Sequence, residues 1–147
     1  IYTCMDTRLV DFLEPAMGIA RGEAKVIKAA GNMITGPFDE VIRSLMVAVY
    51  ELGVNEIMVV GHKDCGMQHS TSASLKERML ARGIKPEAIK KVEGEFAKWV
   101  DAFQHPRENV ENTVEAIKSN PLLPDDIIVH GLLFCPDTGR LEVVVHG

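Results

Sequence analysis

The chain has 147 residues, 46% of them hydrophobic, and a formal net charge of −5 at pH 7. That is enough apolar material for one sizeable core, so a disordered chain is excluded. An acidic balance with no long basic run argues against a nucleic-acid binder, and no apolar stretch approaches the roughly 20 residues needed to span a bilayer.

The chain opens on Ile1-Tyr2-Thr3, read as the end of a buried strand, with Cys4 directly after it. A chain rarely starts inside a core strand, so residues are expected upstream of Ile1. Glu23 to Ala30 contains Ala24, Val26, Ile27 and Ala29 and reads as a second strand, broken by Gly31-Asn32. Pro37 suits the first position of a helix, Asp39 and Glu40 complement its N-terminus, and Val41, Ile42, Leu45, Met46, Val49 and Leu52 recur at helical spacing up to Gly53. Ile57-Met58-Val59-Val60 is an apolar run of the kind buried on both faces of a parallel sheet.

A more polar middle follows. One helix is expected over about Leu75 to Arg82. A second starts at Pro86 and carries Ile89, Val92, Phe96, Trp99 and Phe103, with Pro106 breaking it. A third carries Val110, Val114 and Ile117 and ends at Asn120-Pro121. Ile127 to about Phe134 and Leu141 to Val145 are strands joined by the turn Pro136-Asp137-Thr138-Gly139, an antiparallel hairpin. Strands alternating with helices predict a mostly parallel sheet covered on both faces, closed by one antiparallel edge, in a single domain over residues 1–147.

The chemistry concentrates in two places. His62 and Cys65 form an H-x-x-C arrangement flanked by Gly61 and Gly66, and Cys4 lies far upstream. Cys4 alone reads as a small buried hydrophobe. In open α/β sheets, however, ligands collect beyond the carboxyl ends of the strands. If the strands before Cys4 and before His62 are parallel neighbours, both thiols and the imidazole emerge at one edge. Two thiolates and one imidazole suit zinc, and three protein ligands leave a fourth position open. Asp6 and Arg8, two residues apart in the loop after Cys4, form a carboxylate–guanidinium pair. Asp6 has two open roles, pairing with Arg8 or serving as the fourth metal ligand. Cys135 reads as a spare thiol, and His69, His105, His130 and His146 as surface or packing residues. An odd count of three cysteines suggests a reducing cytoplasm rather than a disulfide framework.

These residues resemble the β-class carbonic anhydrases, in their compact microbial form. The family signature pairs Cys-x-Asp-x-Arg, here Cys4-Met5-Asp6-Thr7-Arg8, with His-x-x-Cys-Gly, here His62-Lys63-Asp64-Cys65-Gly66. Ala30-Gly31-Asn32, Arg43-Ser44-Leu45 and the closing stretch Gly131 to Leu141 extend the likeness over nearly the whole chain. Lys28 and Met67 depart from the family pattern, which commonly has arginine and glycine there. The resemblance implies four parallel strands plus a C-terminal antiparallel strand, flanked by helices. It also implies one zinc ion per chain on Cys4, His62 and Cys65, with Asp6 and Arg8 as a catalytic dyad. The implied reaction is reversible hydration of carbon dioxide to bicarbonate and a proton by a zinc-held hydroxide, and the implied assembly is a homodimer or dimer of dimers. Two rival readings share the same residues: hydrolysis of carbon disulfide or carbonyl sulfide, and a non-catalytic zinc or bicarbonate-sensing domain. A flavodoxin-like module is disfavoured, because no Gly-rich phosphate loop follows the first strand.

Overall fold

Tyr2 and Thr3 of β1 (Tyr2–Cys4) lie in parallel register with Val59 and Val60 of β3 (Glu56–His62), the neighbour relation on which the predicted site depends. The computed structural model describes residues 1–147. Its sheet has five strands in the order β2-β1-β3-β4-β5, where β2 is Ile27–Ala29, β4 is Ile128–Phe134 and β5 is Leu141–Val145. The pairings β1–β2, β1–β3 and β3–β4 are parallel, and β4–β5 is antiparallel. The expected sheet is therefore the observed one.

Six α-helices surround it: α1 (Leu13–Ala16), α2 (Glu40–Tyr50), α3 (Ser72–Ala81), α4 (Pro86–Lys90), α5 (Glu93–Trp99) and α6 (Pro106–Lys118). On one face, Val41, Ile42 and Leu45 of α2 and Val110, Val114 and Ile117 of α6 pack with Tyr2, Ile57, Val59 and Val129 of the strands. A second cluster joins Leu9 and Leu13, around α1, to Val60, Phe103 and Phe134, and it includes Cys4 and Cys65. The sheet is buried by different helices on its two sides, as a parallel sheet requires.

The approach of α6 depends on two glycines. A Cβ at Gly61 would stand 2.6 Å from Val110 Cγ2, and one at Gly131 would stand 2.7 Å from Val110 Cγ1. With hydrogen in those places, α6 lies directly on β3 and β4.

Several predicted boundaries are corrected. Pro37 is not the first helical residue. Asp39 caps α2 instead, its Oδ1 accepting from the Ile42 N–H at 3.0 Å and its Oδ2 from the Thr35 N–H at 2.8 Å. The helix expected from Pro86 to Phe103 is two short helices separated near Lys91-Val92. Val92 is exposed, so its apolar side chain never belonged to a core-facing stripe. Pro106 starts α6 rather than only ending its predecessor, because the first turn of a helix does not use that N–H. The helix expected from Leu75 begins at Ser72, where Thr71 and Ser74 form a reciprocal cap. β2 is confined to Ile27–Ala29, and the short α1 was not foreseen at all.

Candidate metal centre

Cys4 is the last residue of β1 and His62 the last of β3, so the sheet delivers both side chains to one edge. This extends the predicted strands slightly: Cys4 and His62 end their strands rather than follow them. Beyond His62 the chain turns through Asp64, which takes a left-handed φ of 53°, and this turn carries Cys65 back to the same place. Thr3, wholly buried beside Cys4, satisfies its hydroxyl by donating to the Val60 carbonyl at 2.7 Å, which ties β1 to β3 beneath the site.

The three groups converge. One donor atom from each of Cys4, His62 and Cys65 lies within 4.8 Å of the other two, and all three residues are buried. The sulfurs of Cys4 and Cys65 are 3.9 Å apart, and both cysteines are free. Two sulfurs each about 2.3 Å from one tetrahedral ion would stand about 3.8 Å apart, so the pair is spaced for zinc and far outside disulfide contact. The imidazole is oriented as a ligand. Its Nδ1–H donates to the Lys63 carbonyl at 2.9 Å, and its Nε2 is buried with no hydrogen-bond partner. A buried polar atom left unpaired is costly. A cation at the centre of the three donors would satisfy it, and the mixed sulfur and nitrogen set is what zinc prefers.

The electrostatics agree with that fit. The hydrogen bond between the two thiols favours one thiolate: it lowers the Cys4 pKa and, from the other side, raises that of Cys65. A divalent cation would hold both sulfurs deprotonated. Burial is the largest influence on the His62 pKa and works to lower it, but Cys4, the Lys63 carbonyl and Asp6 together make the net shift upward.

Asp6 and Arg8 stand at the rim. Arg8 Nε donates to Asp6 Oδ1 at 3.1 Å and Nη2 to Asp6 Oδ2 at 2.9 Å, and the Arg8 backbone N–H adds a third bond to Oδ1 at 2.9 Å. Arg8 holds the Asp6 carboxyl down to a pKa of about 2, and the Arg8 pKa is raised in return. Asp6 Oδ2 lies 3.8 Å from His62 Nε2. Asp6 is thus paired with Arg8 in this structure. Arg8 Nη2 also donates to the Asp64 carbonyl at 2.9 Å, so the pair is fastened to the loop that carries His62 and Cys65. That link runs through a backbone carbonyl exposed by a left-handed aspartate, which no spacing rule reveals.

The surroundings are apolar: Leu9, Leu13, Phe103 and Phe134 bury the thiols, with Met33 and Met67 packed against them. A cavity of about 430 Å³ lined by Ile1, Ile27, Leu45, Ile57 and Met58 is not part of the site, since it sits at the opposite ends of the strands. Cys135 lies in the β4–β5 turn outside the ligand cluster, and His69, His105 and His146 are exposed. His130 donates through Nε2–H to Glu56 at 2.9 Å and accepts the Gly147 N–H on Nδ1. No helix is long and apolar enough to cross a membrane.

The carbonic anhydrase family model matches residues 1–141. The crystal structure of β-carbonic anhydrase isoform I from Trichomonas vaginalis superposes with a TM-score of 0.97 at 50% identity, covering 99% of this chain and 81% of that one. The YtiB protein of Bacillus subtilis (strain 168) is 43% identical over 150 residues, 100% of this chain and 80% of the relative. A carbon disulfide hydrolase of Acidithiobacillus thiooxidans is 32% identical over 97% of this chain and 74% of its own length. Fold, paired motifs and relatives together place this chain in the β-carbonic anhydrase family.

Proposed function

We propose that the protein is a zinc-dependent carbonic anhydrase, interconverting carbon dioxide and bicarbonate, with Cys4, His62 and Cys65 as the metal ligands and Asp6 and Arg8 as the catalytic pair. The observation that carries this reading is the meeting of three buried donors, one of them unpaired, beside an arginine-clamped carboxylate. Zinc held there would act as a Lewis acid and lower the pKa of a water toward about 7.

The chain's own residues supply the rest. Asp6 is ionised at neutral pH and therefore acceptor-only, so its Oδ2 can take a hydrogen bond from the reacting hydroxyl and fix that oxygen's orientation. Arg8 spends its donors on Asp6 and the Asp64 carbonyl, which holds the carboxylate still. Leu9, Leu13, Phe103 and Phe134 keep the surroundings of the three donors apolar, which suits a small molecule without net charge.

Stopped-flow hydration of carbon dioxide across pH, with zinc quantified on the same sample, tests the reading. Turnover that scales with zinc content is expected. One bound zinc per chain with no hydration above the buffer rate would overturn it. The second reading is hydrolysis of carbon disulfide, supported by the relative of that name at 32% identity. Release of hydrogen sulfide from carbon disulfide, in the absence of carbon dioxide hydration, would favour it. Self-association into a homodimer or a dimer of dimers belongs to the same proposal. Phe38, Val47, Tyr50 and Leu52 are each more than half exposed and would gain by burial, and light scattering decides the matter.

A further inference from the structure

The turn Ala30-Gly31-Asn32 runs alongside Cys4 in an unusual backbone conformation. Cys4 pairs with Ala29 in the β1–β2 register, and the Met5 N–H bonds the Ala29 carbonyl, so the turn begins where the ligand strand ends. Gly31 and Asn32 both have positive φ, 71° and 43°. Successive residues that include the left-handed region point their N–H groups into a common concavity, which suits an anion. Here Gly31 abuts Met67 and Phe103, the side chains packed around the Cys4 and Cys65 thiols.

Something must hold two consecutive left-handed residues, one of them not glycine. The side chain of Asn32 does not do it, because its Nδ2 is buried and makes no hydrogen bond. The hold comes from α6. Asn109 Nδ2 donates to the Gly31 carbonyl at 2.8 Å, and Thr113 Oγ1 donates to the Asn32 carbonyl at 3.1 Å. Both residues are buried, at 6% and 2% exposure. They are four apart, hence on one face of the helix. The neighbouring face of α6 is seated on the sheet through Val110 against Gly61 and Gly131. From the other side, the turn is pressed against Met67 and Phe103, which a Cβ at Gly31 would meet at 2.9 and 3.1 Å.

We propose that Asn109 and Thr113 are positioning residues for the metal centre: by gripping the carbonyls of Gly31 and Asn32, they fix the peptide planes of the turn that lies beside Cys4. The zinc ligand on β1 is then braced by α6, an element that supplies no ligand. This inference rests on the zinc reading above. The alternative is that the two side chains merely satisfy buried carbonyls, as buried polar groups generally do.

Shape-preserving variants separate the two. N109L and T113V remove the donors and keep the volume, T113S restores the hydroxyl, and N120L removes a comparable bond, from Asn120 Nδ2 to the Pro37 carbonyl, away from the site. Zinc affinity is measured by chelator competition, the cobalt(II)-substituted proteins are compared by their sulfur-to-cobalt charge-transfer bands, and circular dichroism reports folding. Loss of an outer partner of a metal ligand typically costs about 10–100-fold in affinity. N109L and T113V are each expected to weaken zinc binding about tenfold and to move the charge-transfer band, with T113S matching the parent and N120L leaving both readouts unchanged. Parental affinity and spectra in folded N109L or T113V overturn the inference and leave the zinc reading intact. An equal loss of affinity in N120L overturns it as well, since the effect would then be general destabilisation. A parent protein that binds zinc no better than C4S fails the zinc reading itself, and the inference falls with it.

Discussion

Asp6 and Arg8 are joined by three hydrogen bonds, and Asp6 Oδ2 stands only 3.8 Å from the unpaired Nε2 of His62. The guanidinium therefore decides where the free lone pairs of the carboxylate point. Replacing Arg8 by alanine is expected to leave zinc bound and to lower hydration by about 10²-fold, the lower end of what one positioned proton-handling group contributes. Metal analysis and stopped-flow kinetics on the same preparation check this; turnover at the parental rate would remove Arg8 from the catalytic pair.

The same pair sets an acid limit. In the fold the Asp6 carboxyl is lowered from 3.8 to about 2, with Arg8 as the chief cause. A lowered carboxylate pKa contributes stability that is complete above the ordinary value near 4 and is lost as pH falls through about 2. In R8A that contribution disappears, so R8A should be less stable than the parent at neutral pH, with the gap closing as pH falls from about 4 towards 2, and its acid unfolding followed by circular dichroism should begin at a higher pH. Superimposable acid transitions would show that Arg8 does not hold Asp6 in solution.

Removing any one of the three proposed ligands breaks the set differently from removing the spare thiol. C4S, H62A and C65S should each lose stoichiometric zinc, with hydration falling to background. C135S should keep both, because Cys135 lies outside the cluster. Binding to the native state alone stabilises it by mass action, so stripping the metal from the parent should lower its Tm, whereas the same treatment should leave the Tm of C4S where it was. Inductively coupled plasma mass spectrometry and calorimetry read the two effects.

The cluster of Cys4, His62 and Cys65 was legible because two rules act together: the residue types are chemically specific, and parallel neighbours put strand ends at one edge. Cys4 and His62 are 58 positions apart, yet the pairing of Thr3 with Val60 brings them together. The hairpin was equally legible, since its turn residues are local. What stayed hidden depends on partners far away in the chain. The left-handed Asp64 matters because its carbonyl meets Arg8. Asn109 and Thr113 look like ordinary polar helix residues until α6 is docked against residues 31 and 32. The apolar repeat from Ile89 to Phe103 misled because periodicity marks a candidate face without saying that anything covers it, and Val92 remains exposed.

Asp39 offers a local test of helix α2, which forms one wall of the core. Its two carboxylate oxygens serve different donors, the Ile42 N–H inside the helix and the Thr35 N–H before it. Replacing it by alanine removes the cap and should cost about 1 kcal/mol, while asparagine retains an acceptor and should recover most of it. Chemical denaturation of the two variants measures the difference. Equal stability of D39A and the parent would mean that Pro37 and the apolar face alone start this helix.

Gly131 tests how α6 is seated. An alanine Cβ there would stand 2.7 Å from Val110 Cγ1 and 3.2 Å from both Val114 Cγ2 and Val145 Cβ, too close for any of them to remain in place. Overpacking of this kind typically costs about 1–3 kcal/mol, so G131A should melt several degrees below the parent. Shortening Val110 to alanine removes the nearest clash at the expense of its own buried contacts. The double variant G131A/V110A should therefore be more stable than the two single losses added together predict. Strict additivity in the four-member cycle, measured by denaturant unfolding, would show that the helix slides to make room. In that case the close contact between α6 and the sheet is not what holds Asn109 and Thr113 over the Gly31-Asn32 turn.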